Sequence, residues 1–368
     1  MSKEIYNVGI MGCGNISREY CDILPTFSML KITAVSDLDM DRARETAEKY
    51  GIDKACTVQD LMADEAVDIV LNLTIPSAHA DITLMALDAG KHVYSEKPLA
   101  GKREDGKKII ERAKEKGLLV GAAPDTVLGG GIQTARKLID DGVIGEPVAA
   151  HASVMNSGPE SWHPNPGFFY LRGSGPLFDL GPYYLSALIT LLGPVKRVAG
   201  SARITHKTRT ATAPEVYGRI LPVEVPTHVS MTLDFNSGII GTFVASFDVK
   251  GHHVPCMEIY GSEGSIAVPD PNGFGGPVSV RHLKNDEWKD MPLTHGFREP
   301  CRGLGVADMA CALMNNRSAR ANGDLAYHVL DIMHAVHESS DTSRHILLTS
   351  TCGKPESMLS TSTLQMIE

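Results

Sequence analysis

Short apolar runs alternate with amphipathic helical patterns along the first third of the chain. The apolar runs are IYNVGIM, KITAVS, VDIVLNL, KHVYSE and LLVGAA, and helical spacing marks the segments between them. Regular alternation of strand and helix implies right-handed crossovers and a parallel sheet with helices on both faces. We therefore predict an α/β fold in which residues 1–123 form a doubly wound parallel sheet.

The pattern changes after residue 123. A helical segment, GGIQTARKLIDDG, leads into the strand-like run EPVAAHASVMN, and a loop rich in glycine and proline extends to residue 176. Beyond DLGPYYLSALITLLG come five or six long runs in which apolar and polar residues alternate, such as VPTHVSMTLDF and GIIGTFVASFDV. Such alternation is typical of antiparallel strands with one covered face. Residues 124–368 are predicted to form an α+β domain around a large open, mainly antiparallel sheet.

Two features of this second domain bear on packing and assembly. The long strands after residue 220 leave a broad sheet face that the helices of one domain cannot cover, so we expect a homodimer or homotetramer. The tail after Leu348 is polar, and we expect it to be loosely held.

Composition and charge exclude several classes of protein. The net charge is −9, with acidic and basic residues interspersed, which argues against a nucleic-acid partner. No apolar stretch is long enough for a membrane span, and the N-terminus lacks the apolar core of a signal peptide. The seven cysteines are scattered without C-x-x-C spacing, so neither disulfides nor a metal site are indicated. These features favour a cytoplasmic protein.

A glycine-rich turn follows the first predicted strand. In VGIMGCGNIS, Gly12 and Gly14 precede Asn15, Ile16 and Ser17 in a G-x-G-x-x-S pattern that opens a helix. Glycines at such a turn let the backbone approach a pyrophosphate, whose charge lies at free N–H groups of the helix N-terminus. This turn is predicted to bind a dinucleotide.

An acidic residue at the end of the second predicted strand supports that prediction. Asp37 follows Ser17 by about twenty residues, the position of a carboxylate that binds the ribose hydroxyls of NAD. Its charge would repel the 2′-phosphate of NADP, and the next residue is Leu38 rather than an arginine, so NAD is favoured. The alternative is that Asp37 caps the next helix, a role that Asp39 could fill equally well.

Several further segments occur in an order that resembles one enzyme family. TIPSAHAD and YSEKPLA follow later strands of the sheet, and LIDDGVIGEP, GSGPLFDLGPYY and AYHVLDIMHAVHESS come after them. In this order and spacing, residues 5–348 resemble the Gfo/Idh/MocA family of glucose-fructose oxidoreductase and inositol dehydrogenase. The resemblance implies an N-terminal Rossmann domain, a C-terminal open-sheet domain and oxidoreduction of sugars or cyclitols. The resemblance also implies five further cofactor-binding residues, which are Thr74, Pro76, His79, Glu96 and Lys97.

The same resemblance implies roles for YSEKPLA. Lys97 matches the active-site lysine of the family, and Pro98 matches the proline that fixes it, often through a cis peptide bond. Glu96 is expected to orient the loop. Without a partner, a lysine at the end of a buried strand would cost several kcal/mol of folding free energy, because its ammonium loses its water shell.

The segment GSGPLFDLGPYYL departs from the family pattern. The family commonly reads G-G-G-x-x-x-D-x-G-x-H, and here Asp179 and Gly181 match while Tyr183 replaces the histidine. If a helix begins near Asp179, Asp179 and Tyr183 share one face and Pro182 falls in the first turn, where its missing N–H costs little. Asp179 and Tyr183 are therefore candidate catalytic and substrate-binding residues. The alternative is a packed Tyr183 and an Asp179 that caps the helix.

The replacement of histidine by tyrosine affects proton transfer. An imidazole titrates near neutrality and a phenol near pH 10, so we expect a nearby Lys97 ammonium to lower the Tyr183 pKa by favouring the phenolate. Whether Tyr183, Asp179 or His163 accepts the proton stays open at this point.

The loop WHPNPGFFYLRGSG is a candidate sugar-binding wall. Its aromatic rings and the planar side chains of His163 and Asn165 suit carbohydrate recognition, although such loops equally often pack over a domain edge. Arg302 is a weaker candidate site residue, as are His252 and His253. A metal site at the adjacent histidines is not expected, because neighbouring residues of a strand face opposite sides.

Together these features predict an NAD-dependent dehydrogenase. It would transfer hydride between nicotinamide and a secondary alcohol or ketone of a sugar, cyclitol or glycoside. The alternatives are a redox-neutral, NAD-dependent glycosidase and a non-catalytic NAD-sensing protein on the same fold; the presence of Lys97 argues against the last. The sequence leaves open which substrate is used and which carbon is oxidised.

Overall fold

A parallel sheet forms the first part of the computed structural model, which describes residues 3–363. Six strands lie in the order β3-β2-β1-β4-β5-β6, and every neighbouring pair is parallel. This order defines the dinucleotide-binding doubly wound sheet, so the predicted first sheet is confirmed. The strands are β1 (Tyr6–Met11), β2 (Leu30–Ser36), β3 (Lys54–Ala55), β4 (Ile69–Asn72), β5 (His92–Ser95) and β6 (Val120–Ala122).

Helices connect these strands, and local sequence fixes their ends. Asp39 caps one helix by accepting hydrogen bonds from the N–H groups of Asp41 and Arg42, and Gly51 ends it in the left-handed conformation. Gly117 ends a later helix in the same way. The helices are α1 (Ser17–Ile23), α2 (Met40–Tyr50), α3 (Val58–Ala63), α4 (His79–Asp88) and α5 (Arg103–Lys116).

A second, larger sheet follows. Its nine strands lie in the order β16-β15-β14-β13-β7-β12-β11-β8-β17. Only β7 and β12 pair in parallel among them, so the predicted mainly antiparallel sheet is confirmed. The strands are β7 (Pro147–Met155), β8 (Val195–Arg203), β11 (His228–Phe235), β12 (Ile240–Ser246), β13 (Met257–Gly261), β14 (Gly264–Ala267), β15 (Val278–His282), β16 (Lys289–Met291) and β17 (Ile346–Leu347), and a separate hairpin joins β9 (Thr208–Thr210) to β10 (Ile220–Pro222).

Helices cover one face of this larger sheet. They are α6 (Gly130–Asp140), α7 (Gly175–Leu192) and α9 (Gly323–Thr342), while α8 (Leu304–Asn315) packs on β6 of the first sheet. Helix α7 packs on β7, β11 and β12, while α9 packs on β8 and also on α5 and β6 of the first sheet. Along β12, Gly241, Phe243 and Ala245 are buried under the helices, whereas Ile240 and Thr242 point to the opposite, exposed face.

The late helices join the two sheets into one hydrophobic core. A single cluster of buried side chains runs from β1 through α7 to α9. Because α8 and α9 contact the first sheet although they come last in the chain, the domain boundary at residue 123 stays a prediction.

The tail contradicts the expectation of loose packing as far as residue 363. Met358 is buried, and its N–H donates to the side chain of Gln133. Arg136 donates to the carbonyl of Pro355, and Arg320 donates to that of Ser357. Buried polar groups of α6, together with Arg320 from the loop before α9, therefore bind the tail backbone, a contact that a polar sequence does not reveal. Residues 364–368 lie outside the described part of the chain.

Candidate active site

A cavity of about 510 Å³ lies where the carboxyl ends of β1, β4 and β5 face the start of α7. Ligands of open α/β sheets bind at this edge. The cavity wall combines loops of the parallel sheet with residues of the second sheet's helices. Its lining residues are Gly14, Asn15, Ile16, Leu73, Thr74, Ile75, Pro76, His79, Glu96, Lys97, Pro98, Phe168, Gly173, Ser174, Phe178, Asp179, Tyr183 and Arg302.

The glycine-rich turn forms one end of this cavity. Gly12 has a φ of 99°, and a Cβ there would lie 2.7 Å from the carbonyl oxygen of Leu73, so only glycine fits. Around Gly14, no described atom other than its chain neighbours lies within 4 Å of an added Cβ. A bare backbone beside open space is what a pyrophosphate needs. The residues present therefore fit NAD, and Asn15 and Ile16 would adjoin its phosphates.

Asp37 stands at the end of β2, outside the cavity lining. Its Oδ2 accepts a hydrogen bond of 2.8 Å from the Cys13 N–H, and its Oδ1 accepts one of 2.9 Å from the Asp39 N–H. Asp39, not Asp37, caps α2. The helix-cap alternative for Asp37 is therefore excluded, and its carboxylate instead ties the glycine-rich turn to β2. Arg42 lies 3.8 Å from the same carboxylate.

His79 joins two loops of the cavity wall. Its Nδ1 lies 2.7 Å from the carbonyl oxygen of Pro98, and its Nε2 lies 2.9 Å from that of Thr74. Burial lowers the pKa of His79, although both carbonyl oxygens favour the protonated ring. The predicted cofactor residues Thr74 and Pro76 line the cavity on the same loop. The ring thus holds this loop against the one that carries Lys97.

Glu96 makes two hydrogen bonds at the loop after β5. Its Oε1 accepts a hydrogen bond of 2.8 Å from the Tyr20 hydroxyl, and its Oε2 accepts one of 3.0 Å from the Lys97 N–H. The peptide bond between Lys97 and Pro98 is cis, as the resemblance implied. These contacts direct the Lys97 side chain across the cavity towards α7.

Lys97 is anchored to a single residue of α7. Its Nζ donates to Oδ1 of Asp179 at 2.8 Å and to the backbone oxygen of Asp179 at 2.7 Å. Burial by itself would lower the pKa of Lys97, but attraction to the Asp179 carboxylate, with a further contribution from Tyr183 when it is ionised, outweighs that effect, so the pKa is raised. Lys97 is therefore protonated, and its buried charge is paired with Asp179.

Helix α7 begins earlier than the sequence indicated. It starts at Gly175, with Pro176 in its first turn, so Pro182 lies inside the helix and the predicted first-turn position of Pro182 is wrong. Pro176 takes the place where a missing N–H costs little. Asp179 and Tyr183 still share one face at i and i+4, and both line the cavity.

Tyr183 lies between two cations. Its side chain is 5% exposed, the Nζ of Lys97 lies 5.4 Å from its ring centroid, and Arg302 donates to its hydroxyl at 3.3 Å. Burial raises the pKa of Tyr183, and the opposing effect of Lys97 and Arg302 is smaller, so the pKa lies above its ordinary value. The expectation that Lys97 would bring this pKa down overall is wrong, because desolvation of the phenolate exceeds its attraction to the ammonium.

The aromatic loop contributes different residues from those predicted. His163 packs edge-on against Trp162 and Phe169, with ring centroids 5.3 and 4.9 Å apart, and its Nδ1 accepts from the Asn165 N–H. Neither His163 nor Asn165 lines the cavity, whereas Phe168 does.

Sequence reasoning therefore missed the apolar part of the wall. The missed residues include Leu73, Ile75, Phe168 and Phe178, and the one signal for the two phenylalanines was the aromatic content of the loop and helix. Arg302, a weaker candidate, belongs to the cavity. His252 and His253 are exposed on a loop after β12, and no group of three metal-ligating side chains occurs among residues 3–363.

Comparisons with known proteins agree with this geometry. Residues 6–123 match a family model for an oxidoreductase family with an NAD-binding Rossmann fold, and residues 132–267 match the GFO/IDH/MocA C-terminal domain. The dTDP-3,4-didehydro-2,6-dideoxy-alpha-D-glucose 3-reductase of Streptomyces violaceoruber is 31% identical over 293 residues, which cover 77% of this chain and 80% of that enzyme. Inositol 2-dehydrogenase 3 of Saccharopolyspora erythraea is 29% identical over 294 residues, covering 77% and 79%.

Solved structures share the fold. An NAD binding oxidoreductase from Klebsiella pneumoniae superposes with a TM-score of 0.82 at 23% identity, covering 94% of this chain and all of that one. Levoglucosan dehydrogenase, solved in complex with NADH and L-sorbose, gives a TM-score of 0.80 at 21% identity, covering 94% and 99%.

The chain belongs to the Gfo/Idh/MocA family of oxidoreductases, and its first sheet is the NAD-binding Rossmann fold of that family. The resemblance seen in the sequence is thereby confirmed, as is NAD as the cofactor. Among the helices that the structure describes, none has the length and apolar character to cross a membrane.

Proposed function

We propose that this oxidoreductase transfers hydride between NAD and a secondary alcohol or ketone of a sugar, cyclitol or glycoside. One observation carries the proposal: an ammonium, a phenol and a carboxylate converge in a cavity that is continuous with the glycine-rich turn. Relatives support the substrate class, since they include inositol 2-dehydrogenases and the levoglucosan dehydrogenase of Pseudarthrobacter phenanthrenivorans.

When bound, NAD supplies the acceptor for the hydride that leaves the carbinol carbon, and NADH returns it in reverse. The protein's part is to place the carbinol and to move the hydroxyl proton. Lys97 would donate a hydrogen bond to the reacting oxygen and stabilise the negative charge that develops there. Its two bonds to Asp179 fix the direction of the ammonium, so little reorganisation is needed.

Tyr183 would exchange the proton with the substrate oxygen. In the oxidative direction, the alcohol loses hydride from carbon and a proton from oxygen; the phenolate accepts that proton and a ketone forms. In the reductive direction, the phenol returns it. A raised pKa keeps the phenol protonated at neutral pH, which favours donation and makes oxidation faster in alkaline solution.

Apolar side chains would exclude water from this reaction. Phe168 and Phe178 line the cavity beside Asp179 and Tyr183, opposite the Rossmann loops. Low polarity there strengthens the hydrogen bonds that Lys97 makes.

We further propose that the exposed face of the nine-stranded sheet joins copies of this chain into a homodimer or homotetramer. This face carries small and apolar side chains beside short polar ones, such as Ile240, Thr242 and Ser230. A broad sheet face on which charged side chains such as Arg197 and Asp234 pair with each other is suited to a second copy of itself. We also propose a cytoplasmic location, because the scattered cysteines lack the spacing of a disulfide framework, which is typical of a reducing compartment.

A substrate screen tests the proposed reaction. The protein would be incubated with NAD and a panel of inositols, free sugars and glycosides, and NADH would be followed at 340 nm while products are identified by NMR. We expect one NADH and one ketone for each molecule of substrate consumed. Glycoside hydrolysis without net NADH would instead establish the redox-neutral glycosidase, and NAD binding with no product from any compound would favour a sensor.

A further inference from the structure

Arg302 occupies a fixed position just before α8. Its Nη1 donates to the Tyr183 hydroxyl at 3.3 Å, its Nε lies 2.9 Å from Oε2 of Glu19, and its Nη2 donates to Oδ1 of Asn272 at 3.4 Å. The Cζ lies 5.8 Å from the Tyr183 ring centroid. Each arm of the guanidinium therefore has a partner, so the group cannot turn away from Tyr183 without breaking the other two contacts.

An arginine at this hydroxyl has a defined chemical effect. A guanidinium only donates hydrogen bonds and keeps its proton throughout the working pH range. The Tyr183 oxygen must therefore accept from Arg302, and the phenol's own hydrogen points elsewhere. Because Tyr183 lines the cavity, the direction left for that hydrogen is the one in which a substrate oxygen would lie.

The charges around Tyr183 make Arg302 more than a structural contact. Glu96 disfavours the phenolate, and the Lys97 ammonium is already paired with Asp179. The other partner of Arg302, Glu19, is 55% exposed and so is screened by water. Arg302 is consequently a cation whose hydrogen bond goes directly to the phenol oxygen, where charge appears when the proton leaves.

A buried aspartate holds the segment that carries this arginine. Asp125, which follows β6, has no solvent exposure, and its Oδ2 accepts from the N–H groups of Gly303 and Gly305 at 2.7 and 3.1 Å. Gly303 has a φ of 112°, and a Cβ there would lie 2.9 Å from the Leu24 side chain. The carboxylate thus ties the start of α8 to the edge of the Rossmann sheet.

We propose that Arg302 is a further active-site residue: it directs the Tyr183 O–H towards the substrate oxygen and stabilises the phenolate. Asp125 is the positioning residue that holds Arg302 in place. This inference rests on the proposed function for its role in turnover. The effect of Arg302 on the ionisation of the Tyr183 phenol, on which the inference depends, can be measured without any substrate.

The test follows the ionisation of Tyr183 by NMR of protein labelled with ¹³Cζ-tyrosine. Tyr183→Phe identifies its signal among the ten tyrosines. In Arg302→Gln, we expect the ratio of phenolate to phenol at pH 10.5 to fall about tenfold or more, because loss of a cation in hydrogen-bond contact raises a phenol pKa by about 1 or more. Arg302→Lys, which keeps the charge without the planar fork, should give an intermediate ratio. Asp125→Ala, which removes the oxygen that accepts from Gly303 and Gly305, should shift the ratio in the same direction by less.

Arg112→Gln is the matched control, since it removes an exposed guanidinium of α5 paired with Asp88 and should leave the Tyr183 signal unchanged. An unchanged ratio in folded Arg302→Gln and Arg302→Lys would overturn the inference. If a substrate is known, the alkaline limb of the oxidation profile should move to higher pH in Arg302→Gln, and added guanidinium should restore part of the rate. Failure to find any substrate would count against the proposed function. The NMR titration would still test whether Arg302 stabilises the Tyr183 phenolate.

Discussion

Asp125→Asn should change how the stability of the protein depends on pH. Burial raises the pKa of Asp125 from an ordinary 3.8 to about 6, even though two backbone N–H groups and Arg302 favour its charged form. Above pH 6 the folded protein therefore carries a buried charge that the unfolded chain holds more easily. The cost of that charge is fully present above the folded pKa and disappears as the pH falls below 3.8.

The size of the effect follows from the two pKa values. A pKa raised from 3.8 to about 6 corresponds to about 3 kcal/mol in the free energy of unfolding, of which about 2 kcal/mol develops between pH 4.5 and pH 7.5. Asparagine keeps an oxygen that can accept from Gly303 and Gly305 but has no charge. Its amide nitrogen would lie where Oδ1 has no hydrogen-bond partner, which costs a pH-independent amount of about 1–3 kcal/mol.

Urea unfolding of both proteins at several pH values measures this difference. Relative to wild type, the free energy of unfolding of Asp125→Asn should rise by about 2 kcal/mol between pH 4.5 and pH 7.5. The pH-independent cost of the amide does not change this difference. Asp286→Asn, which removes an aspartate charge from a fully exposed position, serves as the control. A difference between wild type and Asp125→Asn that stays constant across this range would refute the reasoning.

Three further outcomes are expected. Asp37→Ala should weaken NAD binding and reduce the preference for NAD over NADP in calorimetric titrations; unchanged discrimination would remove Asp37 from the ribose site. Tyr183→Phe should lower kcat by about 10²- to 10⁴-fold, and combining it with Lys97→Met should cost far less than the product of the two single losses, because the two groups act as a unit; multiplicative losses would show independent roles. Ile240→Arg, on the exposed sheet face, should yield the 39.6 kDa monomer by light scattering, and a wild-type protein that is already monomeric would exclude the proposed assembly.

The fold was predictable because each element leaves a local signal. Periodicity separated the parallel sheet from the antiparallel one, and the glycine-rich turn marked the NAD site in both sequence and structure. The choice between Asp37 and Asp39 as the helix cap was not predictable, since either side chain suits that position. Only the observed bonds to the N–H groups of Asp41 and Arg42 decide for Asp39.

The site was less predictable, because its contacts join distant parts of the chain. Arg302 and Tyr183 are 119 residues apart, and Asp125 and Gly303 are 178 apart. The direction in which the pKa of Tyr183 shifts depends on how deeply its ring is buried. The i and i+4 spacing of Asp179 and Tyr183 does not indicate that burial. The roles of Lys97, Asp179 and Tyr183 stay predictions that the geometry supports.

The central claim, that Lys97 holds and polarises the reacting oxygen, is tested most directly by single-turnover hydride transfer in Lys97→Met on an identified substrate. Lys102→Met, an exposed lysine five residues further on, is the matched control. The account predicts that Lys97→Met binds NAD with nearly unchanged affinity by calorimetry while its hydride-transfer rate falls by about 10²- to 10⁴-fold, and that Lys102→Met behaves as wild type. A Lys97→Met protein that transfers hydride at close to the wild-type rate would contradict it.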